Sequence, residues 1–508
     1  MPDKIGLVYS YLQLPDVSNF PFVISKRKDG NFVKKGLFVY TKSIEGYLIG
    51  IIEKIVLLNE YFSDALTIKS YSNNNNPNIL KGLFPSDDFE FAIAVVKCLG
   101  IIEFEDEKQG KIRKIRRMTY PANPGAEVYL VEENTLNIFI GFDAESGLDL
   151  GKVKISNFNA NININRLFNK HFAILSISGG GKSYLASVII EELLTRDEKF
   201  GTPAIILIDV HGEYAYLNEI NELKGKISIQ DISYMQIAVP KLNPWIFKKY
   251  QEQISNVQVR ELSKFIQKLK NDKDKKGKFS LHDLIAELEN DTIVGKSTKQ
   301  ALIGWLSELN RLNIFGPVEN PIINNVVKQG ELTLFNLANE TSIRKKQIII
   351  DYLCNRLFYL RKLDKIPPFL LIIEEAHQFC PEAALSRAIS KSTIETIARE
   401  GRKFMACLCL ISQRPKRLSA TALSQLNSKM ILNIKNPYDL KHLMDSSESI
   451  SKGYADMISS LGVGEMLLTG NAVNYPIFLD IRERKYKSSI EDISLSKICL
   501  NWQKKHTD

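Results

Sequence analysis

The stretch 171–194 constrains this chain more than any other. H-F-A-I-L-S-I-S runs into three glycines, Gly179, Gly180 and Gly181, then Lys182, Ser183 and the largely apolar Y-L-A-S-V-I-I-E-E-L-L. That order reads as a buried strand, a tight turn and a buried helix. Without Cβ atoms the turn can curl until successive backbone N–H groups point at one spot. The helix adds its unpaired first N–H groups and the positive end of its dipole. Lys182 brings a mobile positive charge, and the Ser183 hydroxyl can ligate Mg2+. This is a phosphate cradle of the P-loop kind, with Ser178, Gly179, Gly180, Gly181, Lys182, Ser183 and Tyr184 as the nucleotide-binding residues. The usual G-x-x-x-x-G-K-[ST] has Ser176 here in place of its first glycine. A serine narrows the turn geometry but removes no phosphate ligand, because the ligands are mostly backbone groups.

A second motif lies far along the chain. Residues 369–377, F-L-L-I-I-E-E-A-H, are an apolar strand delivering two adjacent acids at its end. That is the Walker B arrangement: Glu374 in the Mg2+ shell, Glu375 orienting or deprotonating the attacking water. Aspartate is commoner at the first position, and the longer Glu374 is expected to act through a metal-bound water. Residues 404–411 form a further strand ending in S-Q-R-P, which makes Gln413 the candidate to sense the γ-phosphate through that water. Arg399, Arg402 and Arg414 are candidates for neutralising transition-state charge, and Arg402 is the choice for a finger reaching across a subunit interface. For any one of them the competing reading is a surface ion pair.

Between the two motifs, residues 204–209 read as another wholly apolar strand, suited to a parallel sheet covered on both faces. Asp209 ends it, at the edge where open α/β sheets meet their ligands. It either approaches the nucleotide through a water on Mg2+ or serves as a purely structural helix cap. Residues 245–325 are rich in helix formers, and from Lys248 to Lys278 there are ten Lys/Arg against four Asp/Glu. This span reads as a helical insertion whose charge is either a solvated face or a DNA contact. Residues 330–337 are expected as a strand and 343–363 as a long helix.

The N-terminal part differs in character. Residues 5–10, 20–24, 36–40 and 47–52 look like short, closely spaced strands, which suggests a small barrel. Residues 73–78, rich in asparagine, read as a loop. Residues 87–99 are expected as a helix, and 101–104 as a strand. The basic stretch 108–117 is either a solvated hairpin or a contact to DNA or another subunit.

Length and composition set the outer bounds. A chain of 508 residues, 44% hydrophobic and 25% charged, has room for two to four domains and an ample core. A net charge of +9 permits a nucleic-acid partner without establishing one. The six cysteines show no CxxC pair, so neither a zinc site nor a disulfide framework is indicated, and Cys407 and Cys409 read as core residues. The first residues lack the apolar stretch of a signal peptide, and no run approaches the roughly 20 apolar residues of a membrane helix. A cytoplasmic protein without membrane attachment is expected.

Taken together, S-I-S-G-G-G-K-S, I-D-V-H-G-E-Y, L-L-I-I-E-E-A-H, A-R-E-G-R-K-F and L-I-S-Q-R-P resemble, in that order, the HerA family of the HerA/FtsK superfamily. The N-terminal strands look like that family's HAS barrel, itself similar to the barrel of rotary ATP synthases. The resemblance implies an α/β fold: a RecA-like P-loop ATPase core with a small N-terminal β-barrel and a helical insertion. The expected division is 1–125 for the HAS-like barrel and linker, 126–245 for the first part of the core, 246–329 for the insertion, 330–484 for the second part, and 485–508 for the tail. It also implies ATP and Mg2+ as cofactors and a homohexameric ring around double-stranded DNA. A nuclease partner of NurA type, in resection of double-strand break ends, follows from the same resemblance. Lys170 falls where the family has a basic residue ahead of the core strand, within reach of a neighbouring site.

Other tasks fit the same motor: antiviral defence with another effector, DNA packaging, or conjugative transfer. A protein-remodelling ATPase and a nucleotide-binding scaffold without hydrolysis are different classes. A GTPase switch is disfavoured, because no guanine-reading N-K-x-D follows the P-loop.

Overall fold

In a computed structural model the described residues are 4–10, 14–25, 33–59, 62, 64–73, 90–106, 111–384, 386–447, 450, 452–486, 496, 499, 502 and 503. They form two compact units: Met1–Gly147 with Gly151–Ile162 and Val473–Asp480, and Leu148–Leu150 with Asn163–Ala472 and Ile481–Asp508. The first unit therefore runs past the expected boundary at 125. Most of the loop expected over 73–78 lies outside the described residues.

The first unit is built on seven antiparallel strands: β1 (Lys4–Val8), β2 (Asn19–Ile24), β3 (Phe38–Ser43), β4 (Gly46–Asn59), β5 (Glu90–Asp106), β6 (Lys111–Arg116) and β7 (Glu127–Leu130). They run β2-β1-β7-β3-β4-β5, and β2 pairs back onto β5, so six strands close a barrel. Closure leaves no free edge among the six, and inward residues fill the interior. Ile5, Phe20, Phe22, Val39, Leu48, Val96 and Ile101 do so here.

The helix expected over 87–99 is not there. Among its described residues, 90–99 belong to β5. F-A-I-A-V-V has apolar residues at helical spacing, but β-branched side chains pack well on a pleated surface. The deciding factor is tertiary: β5 pairs with β4 on one side and β2 on the other, which is what closes the barrel. The basic stretch becomes a hairpin of β5 and β6, its residues 108–110 lying outside the described set. Part of its charge is met internally, since Arg116 reaches Glu103 at 2.5 Å and Glu45 at 3.1 Å.

The remaining strands are β8 (Leu148–Val153), β9 (Asn159–Ile162), β10 (His171–Leu175), β11 (Ala204–Asp209), β12 (Ile227–Asp231), β13 (Ile237–Ala238), β14 (Phe315–Gly316), β15 (Leu332–Asn336), β16 (Phe369–Ile373), β17 (Ala406–Ser412), β18 (Leu426–Ile431), β19 (Glu465–Gly470) and β20 (Ile477–Ile481). The second unit's sheet runs β12-β15-β11-β16-β17-β10-β18-β19. Every pairing in it is parallel except β18 with β19. Every residue of β10, β11, β16 and β17 is buried, the signature of a parallel sheet covered on both faces. Among the covering helices are Lys182–Leu194, Ile343–Lys362 and Lys391–Glu400.

Residues 246–329 contribute helices as their composition suggested, Asn256–Asn271, Leu281–Glu289 and Lys296–Asn310 among them. Ser255 and Ser280 start two of these with capping boxes, closed by Gln258 and Asp283. Lys249 pins this region to the core. Its ammonium donates to the fully buried Asp351 at 2.5 Å and to Thr393 at 2.9 Å, joining three helices through one network.

The helix Lys182–Leu194 is secured at its far end by the segment 482–486. Glu191 on that helix is fully buried. Its carboxylate accepts from Arg482 at 3.2 Å and from the backbone N–H groups of Lys485 at 2.9 Å and Tyr486 at 3.2 Å. Arg482 also reaches Glu192 at 3.0 Å. Losing one partner of such a buried pair costs about 3–5 kcal/mol, because the other charge is left uncompensated.

His171 opens β10 from a buried position, its Nδ1 accepting the Leu408 N–H at 3.0 Å. Burial lowers its pKa from the usual 6.5 to about 4. The unfolded chain therefore takes up this proton first as pH falls, and folded stability is lost between pH 6.5 and about 4. The ceiling on this effect is about 3 kcal/mol. We expect thermal denaturation to show a falling midpoint from pH 7 to pH 5. In His171→Asn that slope should flatten, even though the variant is less stable at pH 7. An unchanged slope would assign the acid sensitivity to other groups.

Candidate nucleotide site

The phosphate cradle forms where β10 ends. Gly179 and Gly181 adopt φ of +71° and +92°, left-handed values that side chains rarely take. Gly180 is needed for a different reason. A Cβ there would stand 2.0 Å from the Ser176 hydroxyl, which is buried and donates to the Asn433 carbonyl at 3.1 Å. The serine in the motif's first position is thus accommodated by the missing side chain at 180. Ser178 and Gly179 are exposed at the loop tip. Lys182 folds across the loop, its ammonium donating to the Ile177 carbonyl at 3.0 Å. Burial lowers its pKa, opposed by the nearby charges of Glu375, Glu213 and Glu374. Ser183 opens the helix beside it. The Tyr184 side chain turns to the C-terminal segment, where the Arg484 guanidinium covers its ring at 4.3 Å and the Arg484 N–H donates to its hydroxyl at 2.8 Å.

The two acids stand at the carboxyl end of β16, one strand removed from β10 with β17 between them. Glu375 is 7% exposed and sits at φ +46°, a conformation uncommon for a side-chain-bearing residue and characteristic of functional turns. Its Oε2 accepts from Gln413 at 3.0 Å and lies 3.3 Å from His377 Nδ1. His377 also stands 3.4 Å from the Ser412 hydroxyl, and burial lowers its pKa. Glu375 is therefore held from two sides, by Gln413 after β17 and by His377 two residues further along its own chain.

Glu374 is 3% exposed. One oxygen accepts the Tyr214 hydroxyl at 2.8 Å, while the other is buried with no partner among the described residues. Burial, then the charges of Asp209 and Glu213, push its pKa up to about 8. An orphaned carboxylate oxygen beside other acids fits a site for a divalent cation. Ser183 and Glu374 would hold Mg2+ here. This ion takes only one or two protein ligands and completes its shell with phosphates and waters, so the residues present suit it.

Asp209 has a structural role, but it holds a turn and does not cap a helix. Its Oδ1 accepts the N–H groups of His211, Gly212 and Glu213 at 3.2, 2.6 and 3.2 Å, and its Oδ2 that of Tyr214 at 3.2 Å. The carboxylate is spent on shaping the loop. Tyr214 and His377 are the functional neighbours that sequence reasoning missed. Both lay inside quoted motifs, I-D-V-H-G-E-Y and E-E-A-H, but nothing in spacing says that a tyrosine on one strand end meets an acid on another.

Of the candidate arginines, Arg402 is not brought to Lys182 within this chain. It is exposed on the turn Gly401–Phe404, before β17 begins, whereas Gln413 follows the strand's other end. The strand alone separates them by roughly 20 Å. Arg399 is exposed near the end of Lys391–Glu400, on the same side as Arg402. Arg414 stands at the catalytic end, where its charge acts on His377.

Residues 148–357 match the family model for the central domain of helicase HerA. The chain is 29% identical to a probable helicase of Methanocaldococcus jannaschii, over 92% of this chain and 94% of that one. It is 30% identical to the DNA double-strand break repair helicase HerA of Sulfolobus acidocaldarius, over 76% of this chain and 78% of that one. The chain belongs to the HerA helicase family. As a HerA-family protein it is an ATP-hydrolysing enzyme on a P-loop α/β core with an N-terminal barrel. VirB4 of Thermoanaerobacter pseudethanolicus shares the fold, with a TM-score of 0.51 at 16% identity, covering 68% of this chain and 99% of that one. No helix among the described residues is long and apolar enough to cross a membrane.

The contact between Ser176 and Gly180 in this HerA-family loop is directly testable. Gly180→Ala forces the Ser176 hydroxyl off Asn433 or opens the loop, and should weaken ATP binding about ten-fold, equivalent to one lost hydrogen bond. Ser176→Gly in the same chain should restore it. Equilibrium titration with a fluorescent ATP analogue measures both, and a double variant as weak as Gly180→Ala would rule this contact out.

Proposed function

We propose that this chain is an ATP-driven motor that translocates along and separates double-stranded DNA as a hexameric ring. Mg2+ and ATP sit between subunits, and a nuclease of NurA type works with the ring in DNA end resection and repair in the cytoplasm. The observation that carries the reading is the division of the catalytic set. Lys182, Glu374, Glu375 and Gln413 converge on one edge of the sheet, while Arg402 stands at the other end of β17. A site so divided is completed by a second copy of the chain. The names of the relatives support DNA repair as the task.

The residues then take these roles. The loop 178–183 and the start of its helix hold the phosphates, and Lys182 leaves the Ile177 carbonyl to meet them. Mg2+, when bound, neutralises charge on the phosphate oxygens. Glu375, held by Gln413 and His377, orients the attacking water and draws off its proton. Arg402 of the adjoining subunit neutralises charge on the transferring phosphoryl group. The helices within 246–329 form an insertion in this core.

Glu375→Gln should bind ATP normally and lose about 10²–10⁴-fold in turnover, read by phosphate release against nucleotide titration. Arg402→Ala and Lys182→Ala should each be inactive alone. Mixed with subunit exchange they should regain duplex-stimulated ATPase activity, since one supplies the loop and the other the arginine. A mixture that exchanges subunits yet stays inactive counts against a shared site. Turnover that ignores duplex DNA at low salt counts against the motor.

A further inference from the structure

We propose that Tyr214 is a positioning residue that sets the metal affinity of this site by holding Glu374 in one orientation. The proposal rests on the reading of Glu374 as the acid that holds Mg2+.

Tyr214 is among the largest fully buried side chains of the structure. A hydroxyl so placed has no water to turn to, and it donates to Glu374 Oε1 at 2.8 Å. The bond is made by backbone design. Asp209 gathers four successive N–H groups, of residues 211–214, onto its own carboxylate, so the turn that delivers the phenol is fixed at every residue. Asp209 ends β11 and Glu374 directly follows β16, neighbouring parallel strands in register from Ala204 with Phe369 to Ile208 with Ile373. The anchor and the acid it serves therefore cannot slide apart.

The bond has a directional consequence. With one carboxylate oxygen committed to the phenol, only Oε2 is left, and it is the buried oxygen with no protein partner. A glutamate has one more rotatable bond than an aspartate and would otherwise sample several orientations. The phenol removes that freedom. It also gives a reason for glutamate at this position, since the longer side chain places one oxygen on Tyr214 while the other is left unpaired. Tyr214 touches neither nucleotide nor water in this scheme and acts only through Glu374.

The test compares the intact protein with Tyr214→Phe, Glu374→Ala and the double variant. Binding of a fluorescent ATP analogue is titrated in EDTA and again with Mg2+. All four should bind equally in EDTA. The tightening produced by Mg2+ should fall about ten-fold in Tyr214→Phe, matching the loss of one hydrogen bond to a charged group. It should vanish in Glu374→Ala. Adding Tyr214→Phe to Glu374→Ala should change nothing further, whereas a merely structural tyrosine would weaken binding in both backgrounds. The Mg2+ concentration for half-maximal turnover should rise in Tyr214→Phe, with excess Mg2+ restoring the rate. Tyr214→Phe with full Mg2+ tightening, beside a Glu374→Ala that has lost it, overturns the proposal alone. Retention of tightening by Glu374→Ala overturns the metal reading of Glu374 and this proposal with it.

Discussion

Parallel pairing of three strands is the constraint on which the site depends. β10 lies against β17 with Leu175 opposite Ser412, and β17 against β16 with Leu410 opposite Ile373. Each strand ends where its chemistry begins: the glycine loop after β10, Gln413 after β17, the two acids after β16. Register is set by backbone hydrogen bonds along buried strands, so the spacing of these groups is inherited from the sheet. A one-residue slip would turn every side chain to the opposite face. The apolar composition of the strands thus does the positioning, and the polar residues at their tips carry the reaction.

This edge gathers Asp209, Glu213, Glu374 and Glu375 around a single lysine, an arrangement that self-repulsion would scatter in an unsupported loop. Each acid is held by something different. Asp209 is wrapped in backbone N–H groups, Glu374 accepts a phenol, and Glu375 accepts an amide beside an imidazole. Glu213 is the exposed member, its charge acting on Lys182, Tyr214 and Glu374. Only Glu374 keeps a buried oxygen unpaired. Backbone strain is found here too, since Glu375 is held at positive φ.

The parts of this protein legible in its sequence are those governed by local rules. An apolar run ending in glycines, lysine and serine specifies its own strand, turn and helix, and Ser280 announces a helix start through its capping box. Residues 90–99 were illegible because their apolar spacing suits either period, and pairing with β4 and β2 decided the matter. The Ser176 departure looked like a defect of the loop and is instead matched by Gly180, a contact between residues four apart that only the folded turn creates. Tyr214 with Glu374 and His377 with Ser412 join residues distant in sequence, and no composition or spacing encodes such meetings. Arg402 was recognisable as a candidate, and the order of the sequence already set it ahead of the strand that Gln413 follows.

Glu191 carries a consequence for how the protein is made. This acid lies inside the helix that follows the glycine loop, yet its charge partner is Arg482 and its other donors are the backbone N–H groups of Lys485 and Tyr486. A nascent chain emerges N-terminus first, with roughly 5–20 residues added each second. When the loop leaves the ribosome, the segment that neutralises its helix has still to be translated. The helix must wait with a carboxylate that cannot be buried alone. The nucleotide site is therefore among the last parts of the molecule to become rigid, although its glycine loop is made well before the midpoint of the chain. A half-made subunit cannot hold its nucleotide helix in final form, and premature termination ahead of residue 482 leaves that helix incomplete in its packing.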